Sequence, residues 1–382
     1  MTANSREPSL TPIFSHHIFA RQRVGGINRY FVELNQALRR SGLDTRILAP
    51  LHFAAGLQGV HGVVGLRVPP VPGTRGGVRL VCEAVEPIAL RYWRGRLGEE
   101  VVVHRTYYSR SSLRSDVAHV ETVHDMIHER FPEYFARGDR TRDAKRIACE
   151  RADVIIAVSE HTKQMLMEHF DLPTDRIRVC HHGVSAFPTN ERRIAELAGE
   201  TPFVLFVGNR DGYKNFPRLV QAFAASDAVK NGIKLRAFGG GAPSAAELEQ
   251  ITSLRLGELV DFTTGGDAEL SAHYATAVAL VYPGLEEGFG MPPLEAMTYG
   301  CPVIASNSGG IPEVVGDAAL LFDPSAVEPM TSAIDAVISD EHLRRRLTSL
   351  GNRRAAMFTW EKSASATTAA YKAALENARE RA

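Results

Sequence analysis

The sequence predicts an α/β protein made of two doubly wound domains, and three observations carry that prediction. At 382 residues the chain exceeds one domain of about 150 residues and suits two of under about 200. Short apolar runs alternate with amphipathic segments from end to end, the pattern of strand–helix units that assemble parallel sheets. A polar stretch over 186–201, with two prolines and a small helical core, interrupts the alternation, which then restarts.

In the first half the predicted strands are 13–19, 45–49, 101–104, 119–124, 153–159 and 177–181. The helix over 28–41 is the plainest: Phe31, Leu34 and Leu38 recur on one stripe, while Glu33, Arg39 and Arg40 face away. In the second half strands over 203–207, 234–239, 260–263, 277–282, 302–306 and 319–322 alternate with helices, fed by Gly or Pro turns. The last 60 or so residues read as helical, with Leu343, Leu347 and Leu350 on one helix and Trp360 opening another. The expected domains are 1–185 together with 360–382, a linker over 186–201, and 202–359.

The 44 basic residues cancel the 44 acidic ones, and 44% of the chain is hydrophobic, an ordinary globular composition that argues against nucleic acid as a partner. Cys82, Cys149, Cys180 and Cys301 are too dispersed for a metal knuckle or a disulfide framework, which reads as a reduced, cytoplasmic protein. Arg6 and Glu7, followed by a segment broken by Pro12, His16 and His17, do not form a leader, and the longest uncharged stretches are too short to span a membrane. The histidines are too scattered for a metal site.

The most informative stretch is 282–301, YPGLEEGFGMPPLEAMTYGC. A strand ends in a Gly-rich turn and a helix begins at Pro292-Pro293, so the helix N-terminus offers an anion site. Glu287 lies in the turn and Glu295 is expected in the first helical turn; paired carboxylates beside a phosphate cradle suit sugar hydroxyls. By themselves these residues equally suit a strand–helix turn capped by proline and acid. In the same domain, FVLFVGNRDGYKN (203–215) ends a strand at Gly208 and then places Arg210 and Lys214 in the loop. Ligands of open α/β sheets gather at the carboxyl ends of strands, so both loops are expected at one crevice, with the two cations meeting phosphate. Gly239, Gly240 and Gly241 do not complete a dinucleotide fingerprint.

With these residues the chain resembles the retaining, sugar-nucleotide-dependent glycosyltransferases of family 4, bacterial and mannosyltransferase-like, with the GT-B fold. The resemblance spans nearly the whole chain: E-x7-E at Glu287 and Glu295, G-x5-K-N at Gly208, Lys214 and Asn215, GGINRY at 25–30, HD at His124-Asp125, AVSEHTKQML at 157–166, HHGV at 181–184, ASNSGGIPEV at 305–314 and FTWEKSA at 358–364. It implies two Rossmann-like domains facing a central cleft, with the C-terminal helix crossing back to the first. By the same resemblance Lys214 and Arg210 neutralise the donor diphosphate, Glu295 holds ribose hydroxyls, Glu287 contacts the transferred sugar, and His124 hydrogen-bonds it. Gly25, Gly26, Gly208, Asn209, Asn215, Gly288, Phe289, Gly290 and Met291 are the other donor-binding positions. Asn209 stands where many members have arginine. Cations and a helix N-terminus can stabilise a departing diphosphate, so neither metal nor cofactor is expected. Retention by front-face attack follows from the resemblance, since no carboxylate is identifiable as a nucleophile.

The implied partners are a nucleoside-diphosphate sugar, GDP-mannose first and UDP-sugars next, and a carbohydrate or lipid-linked acceptor of polysaccharide or glycoconjugate assembly. His181 and His182 have a structural or substrate-lining reading. RYWRGR (91–96) and the basic residues Arg137, Arg140, Arg142, Lys145 and Arg146 suit solvated helix faces, or a peripheral contact with an anionic membrane or lipid diphosphate. Two other classes share the architecture: a sugar-nucleotide 2-epimerase, against which the Gly208–Asn215 loop speaks, and a non-catalytic nucleotide-sugar-binding protein.

Overall fold

A computed structural model describes residues 10–71, 73–97, 100–111 and 117–381, with the side chain of residue 97 left aside. Arg6 and Glu7 lie outside the described residues. The chain divides into two compact units: Met1–Glu129, Phe135–Gly183 and Trp360–Ala382 form one, Arg130–Tyr134 and Val184–Thr359 the other.

The first unit holds a seven-stranded, wholly parallel sheet of β1 (Thr11–Phe14), β2 (Arg46–His52), β3 (Val63–Arg67), β4 (Val101–Arg105), β5 (Ala118–Val123), β6 (Val154–Ala157) and β7 (Ile177–Val179). Their order is β3-β2-β1-β4-β5-β6-β7. Both faces of a parallel sheet are covered, which is why β4, β5 and β6 are buried throughout. The helix Gly26–Arg40 lays Tyr30, Phe31, Leu34 and Leu38 on the sheet. The helix Trp360–Arg381 packs in the same unit, where Tyr371 donates to or accepts from His104 Nδ1 at 2.8 Å on β4.

The strand expected over 13–19 stops at Phe14. Side chains take the backbone out of the ladder there: Ser15 Oγ accepts from the Thr106 amide at 3.0 Å and pairs with His17 Nδ1 at 2.8 Å, and the chain then turns. Two elements escaped the sequence reading. The edge strand β3 is largely exposed and interrupted by Gly65, so it lacks an alternating apolar pattern. The helix Arg75–Leu97 contains Pro87, which breaks the periodic signal; RYWRGR is its last turns, where Arg46 lies over the Trp93 ring.

The second unit holds a six-stranded parallel sheet of β8 (Phe203–Val207), β9 (Lys234–Phe238), β10 (Val260–Thr263), β11 (Ala279–Tyr282), β12 (Val303–Ser306) and β13 (Ala319–Phe322), in the order β10-β9-β8-β11-β12-β13. Its core joins Val204, Phe206, Phe216, Phe223, Val281, Ile304 and Ile334. The order reverses between β8 and β11, paired through Ala279↔Val204 and Leu280↔Leu205, and their two following loops are the ones singled out in the sequence. The stretch 186–201 is part of this unit. Its helix Glu191–Ala198 is capped by Asn190, whose side chain accepts from the Arg193 amide, and Arg193 Nε donates to Glu269 Oε1 at 2.9 Å. Among the described residues no helix is long and apolar enough to cross a membrane.

Candidate active site

The second unit brings three sequence-predicted side chains, Lys214, Glu287 and Glu295, to the carboxyl ends of β8 and β11. Lys214, in the loop after β8, donates from Nζ to Glu287 Oε1 at 2.7 Å, and both side chains are mostly buried. The Tyr282 hydroxyl, at the end of β11, also bonds Glu287; burial first, then that carboxylate, hold its pKa well above the usual phenol range. Glu295, itself buried, accepts from the Tyr274 hydroxyl at 2.9 Å. Tyr274 is kept protonated in the same way, by burial and then by Glu295. Each carboxylate of the E-x7-E pair is thus oriented by a buried tyrosine, and neither tyrosine was singled out from sequence. Tyr282 immediately precedes the motif and was within reach of the reading; Tyr274 lies 21 residues before Glu295 and has no local signal.

The helix over this turn is Met291–Thr298, starting one residue before the expected Pro292. Glu295 is therefore its fifth residue and lies past the first turn, contrary to the expectation. Pro292 and Pro293 have no N–H, so Met291 and Leu294 supply the amides of the first four positions, fewer than a helix ordinarily offers an anion. Gly290 caps the helix at φ 96°, and a Cβ there would meet Ile311 Cδ1 at 2.5 Å, so only glycine fits. The third wall is the β12 loop: the Gly310 amide donates to the Glu287 carbonyl at 2.7 Å, and a Cβ on Gly309 would collide with the Glu287 backbone at 2.5 Å. The Gly288–Phe289 pair completes the turn, with Phe289 buried edge-on against Phe358.

Arg210 and Asn215 turn out to organise the cradle. The Arg210 side chain is buried; its Nε donates to Glu247 Oε1 at 2.5 Å, Nη1 to the Gly239 carbonyl at 2.6 Å, and Nη2 to the Gly241 and Ala242 carbonyls at 3.2 and 3.0 Å. The expectation gave this guanidinium a diphosphate. Here the carbonyls of the turn after β9 take up its fork, and it stacks over Phe262. Asn215 sits in the left-handed region at φ 61° and donates from Nδ2 to the Pro283 and Pro324 carbonyls at 3.0 and 2.9 Å, tying the loops after β8, β11 and β13 together. Gly208 ends β8 at φ 134°, with Asn209 next to it. Glu286, not singled out, is buried and paired with Arg130.

In the first unit His124 follows β5 and is buried edge-on against Tyr30, with ring centroids 5.1 Å apart. Burial, then the charges of His104 and Lys145, pull its pKa down to about 3, so the ring is neutral at physiological pH. Its Nε2 has no hydrogen-bond partner among the described residues. His182 stacks on Tyr30 at 4.5 Å and is likewise kept neutral by burial. Gly25 is extended at φ 169° and caps the helix that begins at Gly26. A Cβ on Gly25 would collide with Gln22 Oε1, whereas one on Gly26 would meet nothing within 4 Å. Asp125 orients its loop, accepting from the Ile127 amide at 3.2 Å. Of the basic residues over 137–146, Lys145 is not on a solvated face: it is fully buried and donates to Glu129 Oε2 at 2.7 Å.

This geometry can be set beside known proteins. The model of glycosyl transferases group 1 matches residues 188–354, and that of glycosyltransferase family 4 matches residues 24–186. The O-antigen chain mannosyltransferase B of Escherichia coli is 30% identical over 267 residues, 66% of this chain and 70% of that protein. The chain belongs to the family 4 glycosyltransferases. A D-inositol 3-phosphate glycosyltransferase of Geodermatophilus obscurus is 26% identical across 92% of this glycosyltransferase and 86% of its own length. HepE of Anabaena, solved in complex with UDP and glucose, superposes with a TM-score of 0.71 at 17% identity, covering 94% of this chain and 98% of its own. Both sheets of the glycosyltransferase are those of the GT-B fold.

Proposed function

We propose that this glycosyltransferase transfers a sugar, mannose first, from a nucleoside-diphosphate sugar to a hydroxyl of a glycan or lipid-linked acceptor in polysaccharide or glycoconjugate assembly, retaining the anomeric configuration without a metal. The observation that carries the reading is the 2.7 Å contact of Lys214 with Glu287 at the β8–β11 switch point. One of the three N–H donors of Lys214 is spent on Glu287, which aims the ammonium and leaves donors for phosphate oxygens. Charge builds on those oxygens as the anomeric C–O bond breaks, and a cation already in place stabilises it without reorganisation. The acceptor oxygen bonds the anomeric carbon on the face the diphosphate leaves, and its proton passes to a phosphate oxygen. Glu287 orients the transferred sugar, Glu295 the ribose, and neutral His124 hydrogen-bonds a sugar hydroxyl. Arg210 acts as a positioning residue, holding the turn after β9.

The relative's name, a mannosyltransferase, supports mannose, and the UDP-bound neighbour keeps uridine in the test. Thermal shift against UDP, GDP, ADP and their sugar conjugates, with and without EDTA, reads the donor. A shift with one base that EDTA leaves unchanged is the expected result. No shift with any of them removes the donor-site assignment, and a shift abolished by EDTA removes the metal-free mechanism.

A further inference from the structure

The first unit contains a cavity of about 440 Å³, within the size range of small-ligand sites. Its walls come from four separate segments: the turn after β1, the helix Arg75–Leu97, the loop after β4, and the start of the helix Thr141–Arg151. Each segment contributes one arginine, namely Arg21, Arg79, Arg110 and Arg140. Two carboxylates share the lining, and both are already engaged. Glu83 pairs with Arg79 at 3.4 Å, one turn along their helix. Asp139 Oδ1 accepts the Thr141 amide at 2.7 Å, at the entry of the next helix. Arg21 lies over the Tyr107 ring at 4.8 Å. It also lies close enough to Asp139 to help hold its carboxyl below the usual range, so Arg110 and Arg140, both exposed, are the two arginines of the lining without a carboxylate partner among the described residues.

From this we infer that the cavity binds the phosphate ester of the sugar acceptor, an inference that rests on the glycosyltransferase reading and names its acceptor class. Guanidinium forks match the tetrahedral oxygens of a phosphate, which take bidentate, charge-assisted bonds from several sides. The half-buried Tyr107 beside them offers an aromatic face to the attached sugar. Its hydroxyl bonds Thr141, which fixes the wall relative to the helix start. The Arg110 backbone is held by Arg151, whose Nη1 donates to the Arg110 carbonyl at 2.6 Å. His17, which also lines the cavity, is buried and held neutral by that burial, so it adds no charge. The phosphate sits in a concavity, so the ligand is a discrete ester and the site is distinct from a flat membrane-facing patch.

The test measures binding without nucleotide, so it does not depend on the donor assignment. Mannose 1-phosphate and, separately, mannosyl polyprenyl phosphate in detergent micelles are titrated into the full chain and followed by phosphorus NMR line broadening. The variants are Arg110→Ala with Arg140→Ala, and Lys214→Ala. The double variant is expected to bind either ester at least about tenfold more weakly while keeping its affinity for nucleoside diphosphate; Lys214→Ala is expected to do the reverse. The ester that binds identifies the acceptor as soluble or lipid-linked. Ester binding that survives loss of both arginines, or that disappears with Lys214 alone, overturns the inference, as does absence of binding at millimolar ester. If the double variant loses only its adsorption to phosphatidylglycerol vesicles, the arginines serve a membrane surface and the inference fails.

Discussion

Replacing Lys214 by alanine removes the cation bonded to Glu287 and leaves that carboxylate its bond from the Tyr282 hydroxyl without the ion pair. At 2.7 Å two unit charges attract by about 1.5 kcal/mol in water and about 6 kcal/mol at an effective dielectric of about 20. Both side chains keep some solvent, 17% and 10%, and desolvation offsets much of the larger figure, so the fold loses about 1–2 kcal/mol. That is a melting-temperature drop of a few degrees. Under the proposed mechanism transfer suffers more, since the lost ammonium would stabilise the departing diphosphate and Glu287 without its cation would repel it. A preorganised donor of this kind is worth about 3–4 kcal/mol, or about 10²–10³-fold in rate. The assay is kcat/KM for sugar transfer from the donor found by thermal shift, measured for wild type, Lys214→Ala, Glu287→Gln and the double variant. Because the two side chains act as one unit, the double variant is expected to be no worse than the poorer single one. Transfer by Lys214→Ala within threefold of wild type, in a folded protein, refutes the reasoning.

Tyr274→Phe removes the bond that orients Glu295 and should weaken nucleotide binding by about fivefold to tenfold, read by calorimetry, with little change in kcat. Arg210→Ala leaves the Gly239, Gly241 and Ala242 carbonyls and Glu247 without their donor. It should lower the melting temperature more than Lys214→Ala does, by about 3 kcal/mol or more of stability. Acid should unfold the protein early. His104 and His124 are held neutral down to about pH 3 by burial, whereas unfolded histidine takes a proton near 6.5. Stability present above pH 6.5 is therefore lost as pH falls, by about 2 kcal/mol per ring at pH 5. Glu121, raised to about 8 by burial, works in the opposite direction and cancels about one ring. His17, His119 and His182 are lowered as well and add to the loss. Urea melts at pH 7 and pH 5 measure the difference, and equal midpoints would show that these rings are solvated.

Much of this protein was legible in one dimension because its signals are local. A strand buried on both faces is a continuous apolar run, so β8 can be read to the residue, and the bounds of the partly buried edge strands β10 and β13 were legible as well. Strand–turn–helix punctuation likewise marks where β11 ends and the helix Met291–Thr298 begins. The pairing of Lys214 with Glu287 was half legible: both residues stand in recognisable loops, and the switch-point rule places those loops together. What the sequence could not carry was each side chain's choice among competing partners. Arg210 reads as a free loop cation until the turn after β9 presents its carbonyls. Tyr274 is an ordinary helix residue until packing sets its hydroxyl against Glu295. Lys145 looks like one charge in a basic run, and only the fold sets it beside Glu129. The four arginines of the first-unit cavity come from positions 21 to 140, so no window of sequence contains them. Propensity and periodicity act over a few residues and fix the elements; hydrogen bonding and charge act over a few ångströms of space, and only tertiary structure decides which residues share them.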